Sequence, residues 1–390
     1  MNFLWGLLPI FVFCQVCSGE YKRVCYVESW ARYRPSRVRF TPENIDVRLC
    51  THILFAFATL DDTGVRIKAD DDGDDPSMYK RFTDLKKRNP RLKTMLSVGG
   101  WSMGSALFHK AVETDSSRST GAQNIVKFLR SHNFDGIDID WEFPGDRGSP
   151  AGDKHKYTLY LKAIRDAFDK ESKSSGRPAL LLSAALNPMP SMFDNSYEVP
   201  EIARNFDFIN LMFYDMHGTW DHVVGHHAPL YPSKNGDTIN VDYLVNEWIK
   251  KGVQKSKLII GVPFYGRTFT LADASKSNVG DKITGAGVKG PLTGDAGSLS
   301  YQEICLLMKS GVPVRRLVHQ RVPYIVDGNR WTGFDDAKSL SEKMGYIKKH
   351  GFGGAMVWSI DQDDFNGICG GETYPLLKAM NRALGTGIIG

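Results

Sequence analysis

Residues 135–142 read Asp-Gly-Ile-Asp-Ile-Asp-Trp-Glu. Side chains on a β-strand alternate between faces with a period of two. Read as a strand, this stretch puts Asp138, Asp140 and Glu142 on one face and Ile137, Ile139 and Trp141 on the other. Three acids in a row on one face of an otherwise apolar strand are costly, because buried carboxylates must be paired, share protons or shift their pKa. A strand built for stability alone carries Val or Leu there. The row suits acid chemistry, in which one carboxyl stays protonated at neutral pH beside anionic neighbours. A metal site and a structural network are the alternatives compatible with the same pattern. Phe143-Pro144-Gly145 stops the strand, and Asp135 falls off the shared face and reads as structural. The acidic run Asp70, Asp71, Asp72, Asp74 and Asp75 lacks apolar alternation and contains Gly73, which marks a solvated loop.

Short apolar, β-rich runs recur on both sides. Strands are expected at 23–27, 52–58, 94–98, 136–142, 180–185, 208–214, 258–263 and 354–358. Amphipathic segments at 121–133, 156–172, 241–251 and 337–350 lie between them. Alternating strands and helices imply parallel βαβ units, and eight such strands fit an α/β fold of the (β/α)8 TIM-barrel type. About ninety residues separate the seventh and eighth strands, far more than one crossover needs. Residues 267–336 are rich in Gly, Thr and Tyr, with strand-like runs at 322–326 and 329–334, so a small α+β subdomain is expected there. The barrel then comprises 20–266 and 337–390.

Composition limits the setting. A chain of 390 residues that is 42% hydrophobic can build a large core. The net charge of +5 has no dominant block, and no nucleic-acid module is visible. Lys86, Lys87, Arg88, Arg91 and Lys93 read as a solvated helix end. Residues 1–19 look like a secretory leader, with an apolar core too short to span a bilayer and Cys17-Ser18-Gly19 for cleavage. The mature chain is then expected to be secreted, monomeric and without a membrane anchor. Four cysteines remain after the leader, Cys25, Cys50, Cys305 and Cys369, and an even number in a secreted chain suggests two disulfides in any of three pairings. No zinc-ligand spacing appears, and His226-His227 reads as a loop pair.

In a TIM barrel the chemistry sits at the C-terminal strand ends. Aromatic and polar residues gather there: Tyr26 and Trp30, Phe57, Gly100 and Trp101, Glu142, Met212, Tyr214 and Asp215, Tyr265 and Arg267, Met356 and Trp358. Flat apolar rings flanked by hydrogen-bonding groups suit sugar rings, whose C–H faces stack on aromatics.

These residues together resemble glycoside hydrolase family 18, the chitinases and chitinase-like lectins, and most nearly its secreted animal group. The acidic motif stands at Asp135, Asp138, Asp140 and Glu142, and a Ser-x-Gly-Gly signature at Ser97, Gly99 and Gly100. A Met-x-Tyr-Asp motif is Met212-Phe213-Tyr214-Asp215, and the closing tryptophan is Trp358. The resemblance runs from about Tyr21 to Leu384. It implies a retaining, substrate-assisted hydrolysis of chitin or its oligosaccharides without metal or organic cofactor. Glu142 is then the general acid. Asp140 orients the acetamido N–H and Asp138 shares a proton with it. Tyr214 donates to the acetamido oxygen, and Asp215 binds and distorts the −1 sugar. Trp358 is the floor under that sugar. Tyr26, Trp30, Trp101, Trp220, Tyr265 and Arg267 are expected along the cleft, with Trp331 walling one side. The resemblance also implies Cys25–Cys50 and Cys305–Cys369 disulfides. Phe213 and Phe264 are bulkier than the residues usual in the related chitinases, and added bulk near the cleft is expected either to narrow the subsites or to change chain-length preference. No carbohydrate-binding module is visible, so accessible chains rather than crystalline chitin are the expected substrate.

Overall fold

Eight parallel strands close on themselves, as the βα alternation predicts. They are Lys22–Glu28, His52–Leu60, Lys93–Gly99, Gly136–Asp140, Leu181–Leu186, Phe208–Leu211, Leu258–Pro263 and Gly354–Trp358, here barrel strands one to eight. Strand one pairs with both strand two and strand eight, which completes the ring. The computed structural model describes residues 20–69 and 77–386. The expected leader at 1–19 and the acidic run from Asp70 therefore lie outside the described residues. Among the described residues no helix is long and apolar enough to cross a membrane.

The period of two decides which side chains fill the barrel. Val24, Tyr26, Leu54, Ala56, Met95, Ala185, Phe208, Ile259 and Met356 pack together inside it. The alternate residues, among them Cys25, Val27, Ile53, Phe55, Leu96, Val98, Ile137, Ile139 and Trp141, join the larger core under the helices. Burial of each Val, Leu, Ile, Phe or Met among them contributes roughly 1.5–3 kcal/mol against its exposure. The main covering helices are Asp115–Ser131, Asp153–Ser175, Val241–Lys250, Ala337–His350 and Pro375–Leu384. Their ends follow local chemistry. Thr114 and Asp336 accept from the backbone N–H groups of Ser117 and Ser339 at the N-termini. Gly176 and Gly351 end two helices in the left-handed region that a side chain disfavours. The first crossover has only the 3-10 turns Ser29–Tyr33, Ser36–Val38 and Pro42–Asn44, and the Cys25–Cys50 disulfide spans it.

Two strands stop short of the expected bounds. Strand four ends at Asp140 rather than Glu142, and strand six at Leu211 rather than Tyr214. The last pairs are Gly99–Asp140 and Ile139–Ala184 for strand four and Leu211–Ile260 for strand six, and the chain beyond is free to bend into the rim. Glu142, Met212, Tyr214 and Asp215 therefore belong to the loops above the barrel.

The long connection between strands seven and eight carries an antiparallel sheet. Its strands are Tyr265–Leu271, Ile283–Ala286, Ser298–Ser300, Val314–Leu317, Val322–Asp327 and Arg330–Gly333, with the helix Tyr301–Lys309. It starts at Tyr265, directly after the barrel, rather than at 267. The Cys305–Cys369 disulfide joins its helix to the segment after strand eight.

Candidate active site

The acid row enters the barrel from strand four. Asp138 is fully buried and accepts four hydrogen bonds. Tyr26 Oη and Ser97 Oγ donate to Oδ2 at 2.7 and 2.8 Å. Ser183 Oγ and Asn210 Nδ2 donate to Oδ1 at 2.7 and 3.2 Å. Burial pushes the Asp138 carboxyl up, and these donors pull it back. Asp140 has no such set, and its buried Oδ1 lacks a partner among the described residues. Burial, then the charges of Glu142 and Asp138, push it well above the carboxylate range. A proton held by this pair therefore rests on Asp140. Glu142 is half-buried at the mouth. Burial raises its carboxyl to about 7, with Arg147 opposing and Asp215 reinforcing the shift.

Strand three sits close enough to leave no room for side chains at its end. Gly100 N donates to Asp140 O at 2.8 Å. A Cβ on Gly99 would lie 2.1 Å from that same oxygen, and Gly99 and Gly100 both have positive φ, at 121 and 82°. A Cβ on Gly100 would meet the Phe57 ring at 2.5 Å.

Aromatic rings form the surface beside the acids. Phe57 and Trp358 stack at 5.6 Å, and Trp30 lies 6.0 and 6.3 Å from them. Trp101 is 62% and Trp220 56% exposed, values expected of rings awaiting a partner rather than of core. The Arg147 guanidinium lies 3.5 Å over Trp101 and donates to the backbone oxygens of Glu142 and Trp101 at 2.9 and 3.2 Å.

Asp215 closes the far side. Its φ of 54° is in the left-handed region. Tyr265 Oη donates to it at 2.6 Å, and Arg267 grips both oxygens at 2.7 and 2.5 Å. His227 Nδ1 stands 3.5 Å away. Burial pushes the Asp215 carboxyl up, but the bonds from His227 and Arg267 and the charge of Arg267 hold it far below the usual range. Tyr214 Oη reaches Met356 Sδ at 3.8 Å.

Several expected positions need correction. Trp331 does not wall the cleft. It is fully buried in the insertion, stacked on Tyr324 at 5.1 Å and packed with Val224, Phe269 and Leu271. Its alternation along the strand Arg330–Gly333 points it into that second core. Tyr26 and Met356 are likewise buried, because both face the barrel interior. Tyr26 lies under Trp358, at 5.2 Å between rings, and serves Asp138. Phe213 and Phe264 are buried in the outer core and do not narrow the cleft. Ser183 and Asn210 went unread. Their signal was a single polar residue at an inward position of an apolar strand, in Leu-Leu-Ser-Ala and Phe-Ile-Asn-Leu. Asp135 holds strands together, accepting from Thr94 N and Lys86 Nζ at 2.8 and 3.0 Å.

Known proteins share this fold. The model of the glycosyl hydrolases family 18 matches residues 22–363. The chain belongs to family 18. Within family 18 it is 44% identical over 369 residues to Chitotriosidase-1 of Mus musculus, covering 93% of this chain and 78% of that protein. The structure of an immunomodulatory active chitinase from Trichuris suis superposes with a TM-score of 0.89 at 36% identity, covering 94% of this chain and 100% of that one. Human YKL-39, described as a pseudo-chitinase with retained chitooligosaccharide binding, superposes with a TM-score of 0.88 at 40% identity over the same shares. Family 18 thus contains both an active chitinase and a pseudo-chitinase among the structures similar to this chain.

Proposed function

We propose that this protein is a secreted, monomeric chitinase that hydrolyses β-1,4 bonds between N-acetylglucosamine units with retention of configuration. The observation that carries the reading is Glu142. It is a carboxyl at the cleft mouth, raised to about 7, with two buried carboxyls behind it. A binding protein has no need of that arrangement.

The chain's own groups perform the steps. Glu142 gives its proton to the glycosidic oxygen as the bond to the anomeric carbon breaks. The acetamido oxygen of the same sugar attacks that carbon, giving an oxazolinium ion. Asp140 holds the acetamido N–H, and Tyr214 steers the acetamido oxygen. Asp138, saturated by four donors, keeps its charge beside Asp140 and favours the incipient positive charge. Water then attacks the anomeric carbon, the bond from that carbon to the acetamido oxygen breaks to restore the N-acetyl group, and the water gives a proton back to Glu142. Asp215, Tyr265 and Arg267 bind the −1 sugar, and Trp358 lies under it.

The acid role has a pH signature. Glu142 must be protonated to act, so kcat/KM is expected to fall as pH rises through about 7. Arg147 lowers that pKa, so Arg147→Gln is expected to move the alkaline limb upward. A pH–rate profile of both proteins checks the direction, and an unmoved limb sinks the assignment. Activity is also expected to survive excess chelator, measured on the same substrate.

Digestion of N-acetylglucosamine hexamer by the mature protein, read by mass spectrometry, tests the reading. Shorter oligomers support it. A bound but uncleaved hexamer would favour the second reading, an oligosaccharide-binding lectin, which the likeness to YKL-39 recommends.

A further inference from the structure

Glu28 ends barrel strand one, and its carboxylate is buried. Ser359 Oγ and Gln362 Nε2 donate to Oε1 at 2.9 and 3.0 Å, and the Arg34 guanidinium donates to Oε2. The same guanidinium donates to Asp361 Oδ2 at 2.8 Å, while Asp361 Oδ1 accepts from Glu28 N at 3.0 Å. Two carboxyl groups thus share one arginine in a closed cluster below the rim. Burial and Asp361 push the Glu28 carboxyl up to about 8, against the pull of Arg34 and Ser359. Such a group costs the fold free energy that an apolar side chain would not, so packing does not account for it.

Its place in the chain does. Glu28 and Arg34 bracket the turn Ser29–Tyr33 that carries Trp30. Ala56 is the ladder partner of Glu28 and immediately precedes Phe57. Ser359 immediately follows Trp358. Trp30 and Trp358 therefore sit within two residues of Glu28 or of a group bonded to it, and Phe57, stacked on both, follows the ladder partner of Glu28.

We propose that Glu28 is a positioning residue, which fixes the Trp30–Phe57–Trp358 platform in the geometry that receives the sugar chain. The proposal rests on the reading of this site as one for N-acetylglucosamine oligomers. Rings held in place before binding need not be ordered by the ligand, and the saving appears as affinity.

The test is calorimetric titration of N-acetylglucosamine tetramer into the full mature chain carrying Glu142→Gln, so that the ligand stays intact. Adding Glu28→Ala is expected to weaken binding about tenfold. Glu28→Gln keeps an oxygen for Ser359 and Gln362 and is expected to recover most of that loss. Ser359→Ala, a change the fold tolerates more readily, is expected to cost about threefold alone and nothing further beside Glu28→Ala. Binding that stays within twofold in Glu28→Ala and Ser359→Ala overturns the proposal, as does a Glu28→Gln protein no tighter than Glu28→Ala. No binding by the parent Glu142→Gln protein instead overturns the oligosaccharide reading, and this proposal with it.

Discussion

Glu142→Gln is expected to lower kcat on N-acetylglucosamine hexamer by about 10²–10⁴-fold while leaving affinity for the intact oligomer within a few-fold. The amide fills the same space but has no proton of useful acidity. The leaving oxygen would then depart unprotonated, and that is where general acid catalysis acts. Asp140, Tyr214 and Asp215 would still engage the sugar, so binding should persist. Stability gives an independent check on the same group. Glu142 keeps its proton in the folded chain up to about 7, well above its ordinary value of 4.5. Between those limits the folded state binds more protons than the unfolded one, so stability falls as pH rises. The variant has no proton to lose. At pH 8 its unfolding temperature is expected to equal or exceed that of the parent. A variant that cleaves at near the parental rate removes Glu142 from the acid role.

Trp358→Ala is expected to weaken tetramer binding about 30-fold, or about 2 kcal/mol, by loss of the ring's apolar face and of its stacking. The loss should exceed that of a single contact. Trp358 packs on Tyr26, Trp30 and Phe57, and its removal frees the other two rim rings. Calorimetry on the Glu142→Gln protein reads the effect, and unchanged affinity would mean that the sugar floor lies elsewhere. Trp331→Phe is the control. Trp331 is buried in the insertion, so tetramer affinity should stay within twofold whatever the change costs in stability.

The barrel was legible because its strands repeat a simple pattern. Both faces are buried, runs are short, and turn residues separate them. The acid row was legible for the opposite reason, since Asp138 and Asp140 at inward positions of an apolar strand, with Glu142 just beyond its end, have no structural excuse. Misreadings arose where a residue's type was weighed without its parity. Phe213 lies between Met212 and Tyr214, which pack against the barrel interior, so alternation alone sends it outward. Tyr26 follows Val24 on the inward face and so lies below the rim. Trp331 was harder, because nothing local announces that the insertion owns a second core. That core includes Val224, which comes from the loop after strand six and is distant in sequence. Strand ends were misjudged by a few residues because composition continues where pairing stops. The four donors around Asp138 come from strands one, three, five and six, and such a convergence is written in closure of the ring rather than in any one segment.

Tyr265 and Arg267 hold Asp215 from the opening strand of the antiparallel sheet, not from the barrel. The sheet is therefore a structural creditor of the proposed −1 site. Loops beyond Leu271 can be lengthened or trimmed in a relative, or in a designed variant, with the reacting centre left whole. Excising the whole connection between strands seven and eight would not simply widen the cleft. It would leave Asp215 as an ionised carboxylate stripped of its guanidinium and its phenol, free to take up a proton and turn away. A minimal barrel cut from this chain should fail as a catalyst even if it folds.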